Sequence, residues 1–220
     1  IYALKKLGVT NILSVSACGS LKKDLAPGDF VLVDQFIDRT YLREKSFFGK
    51  GCVAHVSLAH PTCNNFSKII FEIGKKLEIK IQLGGTYMTM EGPQFSTLAE
   101  SKLYKDNWKC DVIGMTNMPE AKLAKEAEIC YTSLSMVTDF DCWHPDHDSV
   151  EVSDIIETLT NNSSKAQRII ETLPEFLKSN KDLCSLGCNN ALDNAIITAP
   201  EKRDPKVLKT LDVLLQRLNK

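Results

Sequence analysis

The stretch Ser135–Asp148 reads SMVTDFDCWHPDHD, and it predicts a buried strand that ends in an acidic, aromatic loop. Asp139 and Asp141 stand two positions apart where the apolar run stops. Side chains at i and i+2 of an extended chain point to the same side, so the two carboxyl groups are expected to lie together. Crowded carboxyl groups have raised pKa values and can hold a proton near neutral pH. The stretch predicts either a site of acid catalysis or two ordinary aspartates in a solvated loop.

Strands and helices alternate on both sides of this stretch, which is typical of an α/β fold with its site at the carboxyl ends of the strands. With 220 residues and 43% hydrophobic content, the chain is expected to form one domain over residues 1–220. Strands are predicted at 11–16, 30–37, 84–90, 110–115 and 129–137, and helices at 1–8, 64–77, 155–173 and 206–218.

Two segments that follow predicted strands are suited to an anion. Ala17–Ser20 (ACGS) places four small residues where backbone N–H groups can approach a ligand, although a plain tight turn is the alternative. Asn117 is predicted to be a helix N-cap, with Pro119 in the first turn and Glu120 at N3. Thr116 would then lie at a helix N-terminus, which favours an anion; a merely well-capped helix is the alternative.

The segment Glu91–Thr97 (EGPQFST) predicts a rigid turn beside a buried strand and a wall for a sugar and a base. Thr97 and Glu100 have the spacing of a capping box for the helix that follows. His55 lies in an apolar segment, where a histidine is more often packed and hydrogen-bonded than catalytic.

Charge and hydropathy exclude several classes of partner. The 27 basic and 28 acidic residues leave a net charge of −1 and form no basic stripe, which argues against nucleic acid and anionic membranes. No apolar run approaches the ~18 to 20 residues of a membrane span.

The eight cysteines include no C-x-x-C motif, which is typical of a reducing, cytoplasmic setting more than of a disulfide framework. Cys184 and Cys188 form the one close pair, and a zinc site would need two further ligands that the sequence does not place. The run His144–Asp148 could also suggest a metal, but its proline favours a surface loop. We therefore expect no metal site.

Six motifs, in the same order and over nearly the whole chain, resemble the purine nucleoside phosphorylase family, and in particular its branch that acts on S-methyl-5'-thioadenosine. They are ACGSL (17–21), DQFIDRT (34–40), TMEGPQFST (89–97), MTNMPEAKLAKEA (115–127), MVTDFDCW (136–143) and AIITAPEKRDP (195–205). The resemblance implies an α/β fold with a mixed, twisted sheet that closes toward a barrel between helices, and a homotrimer.

The resemblance also implies phosphorolysis of S-methyl-5'-thioadenosine to adenine and 5-methylthioribose 1-phosphate, with phosphate as co-substrate and no cofactor. Asp139 would be the general acid at purine N7. The other implied contacts are Ser16, Ala17 and Thr116 for phosphate; Met115 for ribose; Phe95, Ser96, Phe140 and Asp141 for the base; Val152 and Ile155 for the methylthio group; and His55 for a neighbouring subunit's pocket.

Other functions remain open at this stage. One alternative is a phosphorylase for methylthioinosine or another purine nucleoside, against which Asp139 argues because asparagine would suit a 6-oxopurine. Another is a non-catalytic purine-nucleoside binder. The family's Gly-rich phosphate loop and Arg-His pair have no counterpart here, so the chain is expected to lack an N-terminal segment.

Overall fold

The computed structural model describes residues 1–145, 152–179 and 184–218, without the side chains of residues 152–154 and 179. The strands are β1 (Asn11–Ser20), β2 (Phe30–Val33), β3 (Gln35–Asp38), β4 (Ile81–Leu83), β5 (Thr86–Thr89), β6 (Val112–Gly114) and β7 (Cys130–Asp139). The helices are α1 (Tyr2–Lys6), α2 (Asn64–Lys76), α3 (Leu98–Lys102), α4 (Glu120–Glu126), α5 (Val152–Ser179), α6 (Pro205–Thr210) and α7 (Asp212–Leu215).

All of these strands join one mixed sheet in the order β3-β5-β6-β1-β7-β2-β4. The longest pairing is parallel and runs from Asn11 to Gly19 of β1 against β7. Beyond a register shift between Cys18 and Gly19, the end of β1 also pairs in the antiparallel sense with β6. β1 therefore has a parallel neighbour, β7, along most of its length and an antiparallel neighbour, β6, at its carboxyl end, and the sheet bends where the second pairing begins.

The link between β2 and β3 shows that this sheet curls toward a barrel. Only Asp34 separates the two strands in sequence, yet four other strands lie between them in the sheet order. The backbone N–H groups of Asp34 and Gln35 donate to the carbonyl oxygen of Gly85 at 3.1 and 3.3 Å. In return, the N–H of Gly85 donates to Oδ1 of Asp34 at 3.0 Å. The expected mixed, barrel-like sheet is confirmed.

Alternate residues of β2 and β7 face different cores, which is why β7 is buried along nearly its whole length. Leu134 and Met136 pack with residues of α2 and α5 on the outer face. Val137 packs on the inner face with Val31 and Tyr87. Helices thus cover the outside of the curled sheet, and side chains fill its inside.

The predicted C-terminal helix 206–218 is divided at Leu211 into α6 and α7. Leu211, Leu214 and Leu215 are buried against α4 and the start of β7, so this helical segment packs on the core of its own chain. No helix in the described ranges is long and apolar enough to cross a membrane.

Three local predictions were wrong. The predicted strand 30–37 is two strands, since the chain turns at Asp34. Ala17–Ser20 continues β1 and is not a turn. Asn117 is not an N-cap: α4 begins at Glu120, and Asn117 has a φ of 68°. The Asn117 amide oxygen instead accepts hydrogen bonds from the hydroxyls of Tyr131 and Ser133, both at 3.0 Å. The capping box of Thr97 and Glu100 is confirmed.

Candidate active site

A cavity of about 240 Å³ lies where the ends of β5, β6 and β7 meet the bent part of β1. The curl of the sheet explains this position, because it brings the carboxyl ends of β5 and β6 against the end of β1. The lining residues are Ala17, Cys18, Gly19, Met90, Phe95, Ile113, Gly114, Met115, Thr116, Thr138, Asp139, Asp141 and Ile155.

Gly19 allows β1 to approach the carboxyl group at the end of β7. Gly19 pairs with Asp139 across the two strands. A Cβ atom at this position would lie 2.8 Å from Oδ1 of Asp139 and 3.3 Å from Cγ2 of Ile113. The sequence suggested that the small residues of this segment make room for a ligand, but at Gly19 they make room for a carboxylate.

The two carboxyl groups at the end of β7 have different surroundings. Oδ2 of Asp139 accepts a hydrogen bond from the Thr138 hydroxyl at 2.7 Å, and Oδ1 accepts one from the backbone N–H of Asp141 at 2.9 Å. Asp141 is 4% exposed, and its Oδ2 has no hydrogen-bond partner within the described ranges. Burial raises the pKa of Asp141 to about 6; the Ser101 hydroxyl opposes this shift, and the Asp139 carboxylate adds to it. One negative charge in this pair therefore disfavours a second.

Thr116 lines the part of the cavity next to β1 and β6, and the hydroxyl groups of Tyr87 and Ser16 belong to residues outside the lining. Oγ1 of Thr116 lies 3.1 Å from the hydroxyl of Tyr87. Burial raises the pKa of Tyr87 well above its usual value, so this phenol stays neutral and can donate or accept. The hydroxyl of Ser16 is buried and, among the residues that the structure describes, has no hydrogen-bond partner. A buried hydroxyl without a partner costs free energy unless a ligand or water satisfies it.

The apolar side of the cavity is formed by Met90, Phe95, Met115 and Ile155. Phe95 is 50% exposed, so about half of its surface is open to contact with a ligand. Gly92, with a φ of 71°, brings its turn against Met115, since a Cβ there would lie 2.5 Å from the Met115 sulfur.

Glu91 has a structural role in the same turn. Its carboxylate accepts hydrogen bonds from the backbone N–H groups of Tyr41 and Leu42 at 2.5 and 3.0 Å. It also forms an ion pair with Arg43, whose Nε lies 2.9 Å away. Glu91 therefore fixes the loop 41–43 beside the cavity and does not line the cavity itself.

The structure brings most of the predicted site residues together. The cavity is lined by Ala17, Phe95, Met115, Thr116, Asp139, Asp141 and Ile155. Ser16 and Ser96 lie beside the lining residues without being part of the lining. The side chain of Val152 and residues 146–151 lie outside the described residues.

Phe140 and His55 are not among the residues that line this cavity. Phe140 stacks on His144 with ring centroids 4.7 Å apart, which orders the loop after β7. His55 is exposed, although its apolar segment by itself favoured a packed histidine. It borders a second cavity of about 370 Å³, together with Lys45 and Lys122.

The sequence reading missed several residues of the lining and its support. They are Met90, Ile113, Gly114, Thr138 and the buried Tyr87, whereas Cys18 and Gly19 lie in the segment Ala17–Ser20 that the sequence assigned to an anion or a turn. Each of these residues flanks a predicted site residue or lies in a predicted strand. Their position at or near the ends of predicted strands was the sequence signal that could have identified them. What the sequence could not show is which strand ends meet.

Comparison with known proteins identifies the class. The family model of the phosphorylase superfamily matches residues 1–175. The S-methyl-5'-thioadenosine phosphorylase of Cereibacter sphaeroides is 59% identical over 220 residues, which are 100% of this chain and 76% of that protein. The enzyme of the same name from Geobacter sulfurreducens is 45% identical over 98% of this chain and 74% of that protein. The chain belongs to the phosphorylase superfamily.

Solved structures agree with this assignment. The structure of a methylthioadenosine phosphorylase from an antarctic soil metagenomic library is similar with a TM-score of 0.90 and 44% identity, over 97% of this chain and 75% of that one. A methylthioadenosine phosphorylase of Schistosoma mansoni in complex with adenine is similar with a TM-score of 0.83 and 32% identity, over 89% of this chain and 76% of that one.

Replacement of Gly19 by alanine tests the close approach of β1 to Asp139. The added methyl group would force the Asp139 carboxylate or the strand to move, so we expect Gly19→Ala to lower the free energy of unfolding by about 1–3 kcal/mol. Gly49→Ala is the control, because a Cβ there meets nothing within 4 Å, and it should change this free energy by less than about 0.5 kcal/mol. Equal values for the two variants in denaturant unfolding would contradict the packing described.

The raised pKa of Asp141 predicts a pH-dependent cost to stability. In the unfolded chain this group has a pKa of about 3.9, so below pH ~4 it is protonated in both states and costs nothing. As pH rises toward 6, the folded state increasingly disfavours the charge that the unfolded state accepts. The free energy of unfolding of Asp141→Asn minus that of the wild type should therefore rise by up to about 3 kcal/mol between pH 4 and pH 7.

Denaturant unfolding at four pH values measures this difference, and titration of other groups cancels in the subtraction. Asp106→Asn, at an exposed carboxylate that pairs with Lys105, is the matched control for the loss of a carboxylate. A difference for Asp141→Asn that does not rise between pH 4 and pH 7 would contradict the raised pKa of Asp141.

Proposed function

We propose that this protein catalyses phosphorolysis of S-methyl-5'-thioadenosine, giving adenine and 5-methylthioribose 1-phosphate. The observation that carries the proposal is the pair of crowded carboxyl groups, Asp139 and Asp141, in a cavity with an apolar wall on one side and hydroxyl groups on the other. Relatives of this name at 45–59% identity support the choice of substrate. Inorganic phosphate is the co-substrate, and no organic cofactor is needed.

Cleavage of an N-glycosidic bond leaves negative charge on the departing purine. Asp139 acts as the general acid by donating a hydrogen bond or a proton to purine N7. The carboxyl group of Asp139 lies beside that of Asp141, whose pKa is raised by burial and by the charge of Asp139, so the pair disfavours two negative charges and can share one proton. Asp141 binds the exocyclic amino group of adenine, with Ser96 and Phe140 supporting the loop.

Positive charge develops on the ribose in the same step, and a phosphate ion held beside it stabilises that charge. The hydroxyl groups of Ser16 and Thr116, together with the backbone of Ala17, bind this phosphate. The partnerless hydroxyl of Ser16 supports the assignment, as does the hydrogen bond between Thr116 and Tyr87, which fixes the Thr116 hydroxyl.

The apolar wall fits the remaining parts of the substrate. Met115 lies under the ribose, Phe95 contacts the base, and Ile155 with Val152 encloses the methylthio group. An apolar pocket for this group explains a preference for a 5'-thioether over a 5'-hydroxyl, which is worth about 1–3 kcal/mol.

The assembly and cellular role follow from the same proposal. The active form is a homotrimer in which His55 completes the pocket of a neighbouring subunit, a role to which its exposure is suited. The reaction belongs to purine and methionine salvage in the cytoplasm. The eight cysteines include no C-x-x-C motif, a pattern more typical of a reducing compartment than of a secreted disulfide framework.

The direct test is phosphate-dependent release of adenine from S-methyl-5'-thioadenosine, with this chain and with any longer natural polypeptide that contains it. Asp139→Asn should lower kcat by roughly 10²–10⁴-fold, since it removes the acid. The control Asp106→Asn should retain the wild-type rate, because this carboxylate is exposed and pairs with Lys105.

Three outcomes would contradict parts of this account. Wild-type rates in Asp139→Asn would contradict the assignment of the acid. Faster release of hypoxanthine from methylthioinosine would contradict the choice of base. Adenine binding without turnover in every folded form would identify a binding protein instead of an enzyme.

A further inference from the structure

Four cysteines that are far apart in sequence meet outside the candidate active site. The sulfur atoms of Cys63, Cys130, Cys184 and Cys188 all lie within 4.8 Å of one another. Three of these residues are buried, and Cys184 is half-buried. The sequence showed only the pair 184 and 188, and the fold supplies the two ligands that were missing.

The mutual spacing of the sulfurs suits one metal ion. Tetrahedral zinc with four Zn–S bonds of about 2.3 Å requires sulfur atoms about 3.8 Å apart, so small side-chain shifts would suffice. Disulfides need each sulfur close to only one partner, at about 2.05 Å, and do not require all four to converge. A [4Fe–4S] cluster binds each thiolate to a different iron, and a [2Fe–2S] cluster binds two thiolates to each of its two irons, so either would hold some of the sulfurs further apart.

We propose that Cys63, Cys130, Cys184 and Cys188 bind a structural Zn²⁺ ion. All four positions of the tetrahedron are then filled by protein thiolates, which is the composition of a closed, non-catalytic site. Binding releases the thiol protons, so affinity should fall as pH is lowered.

The surroundings of the cluster favour thiolates. Nζ of the buried Lys125 lies 3.7 Å from the Cys188 sulfur and offsets part of the negative charge of a zinc tetrathiolate. The backbone N–H of Cys188 donates to the Cys184 sulfur at 3.0 Å. Such contacts orient thiolate ligands and stabilise the metal complex. Cys63 precedes the first residue of α2, where the helix dipole also favours a thiolate.

The position of the cluster gives the ion a structural role. Cys130 begins β7 and Asp139 ends it, so about 30 Å of strand separates the cluster from the carboxyl pair. The ion would hold the segment 184–190 and the start of α2 against the first residue of β7. Gly187, with a φ of 63°, makes the turn between the two nearby ligands, and a Cβ there would lie 2.5 Å from Oδ1 of Asn190.

Metal analysis of the purified protein, prepared without chelators, is the first test, and one zinc ion per chain is expected. Titration of the metal-free, reduced protein with Co²⁺ should then produce the visible bands of a tetrahedral site and the near-ultraviolet charge-transfer absorption of four thiolates. This measurement uses the wild-type chain, so it does not depend on whether variants fold.

Variants test the ligands. Cys184→Ser should weaken zinc binding at least about tenfold in competition with a chromogenic chelator, since loss of a ligand costs no less than loss of a supporting contact. Cys110→Ser, at a buried cysteine outside the cluster, should bind zinc as the wild type does.

The proposal would be overturned by protein that contains no zinc and gives no tetrahedral Co²⁺ spectrum after reduction. It would equally be overturned by disulfides among these four residues in the protein as isolated, by an iron–sulfur spectrum, or by equal zinc affinity in Cys184→Ser and Cys110→Ser. Activity is not the readout, so failure of this proposal and failure of the proposed phosphorolysis can be told apart.

Discussion

The link at Asp34 constrains the rest of the structure. A single residue joins β2 to β3, although four strands separate them in the sheet, so the sheet cannot stay flat. Gly85 lies in a second short connection, between β4 and β5. Its hydrogen bonds with Asp34 hold the same two parts of the sheet together. The curl turns β1 toward β6 and places the ends of β5, β6 and β7 around one cavity. A site built from five separate segments follows from this one geometrical requirement.

β7 connects the cysteine cluster at its first residue with the carboxyl pair at its last residue. It is buried along its length, pairs with β1 over nine residues, and ends at the carboxyl pair. Both carboxyl groups line the cavity, but their surroundings differ: burial raises the pKa of Asp141, whereas Asp139 accepts two hydrogen bonds. At its other end, Cys130 contributes to the cysteine cluster. Because β7 pairs with β1 on one side and β2 on the other, it is a rigid support for the proposed acid.

Much of this could be predicted from local sequence signals. The α/β class, α2, β7, the capping box and seven residues of the cavity lining were found from periodicity, turn residues and motif resemblance. Local signals failed where a distant segment decides the outcome. Asn117 has a side chain typical of an N-cap, but its amide oxygen accepts hydrogen bonds from two hydroxyl groups of β7. Nothing near Gly19 shows that Asp139 will approach it, and nothing near Cys184 shows that Cys63 and Cys130 will join it.

The central claim is that the carboxyl pair at the end of β7 binds the base while the hydroxyls beside β1 and β6 bind phosphate. A crystal structure of the protein with adenine and phosphate tests it most directly. The account predicts purine N7 within hydrogen-bond distance of Asp139, the exocyclic amino group at Asp141, and phosphate at Ser16 and Thr116. Adenine bound elsewhere, or bound in this cavity without contact to either carboxyl group, would contradict it.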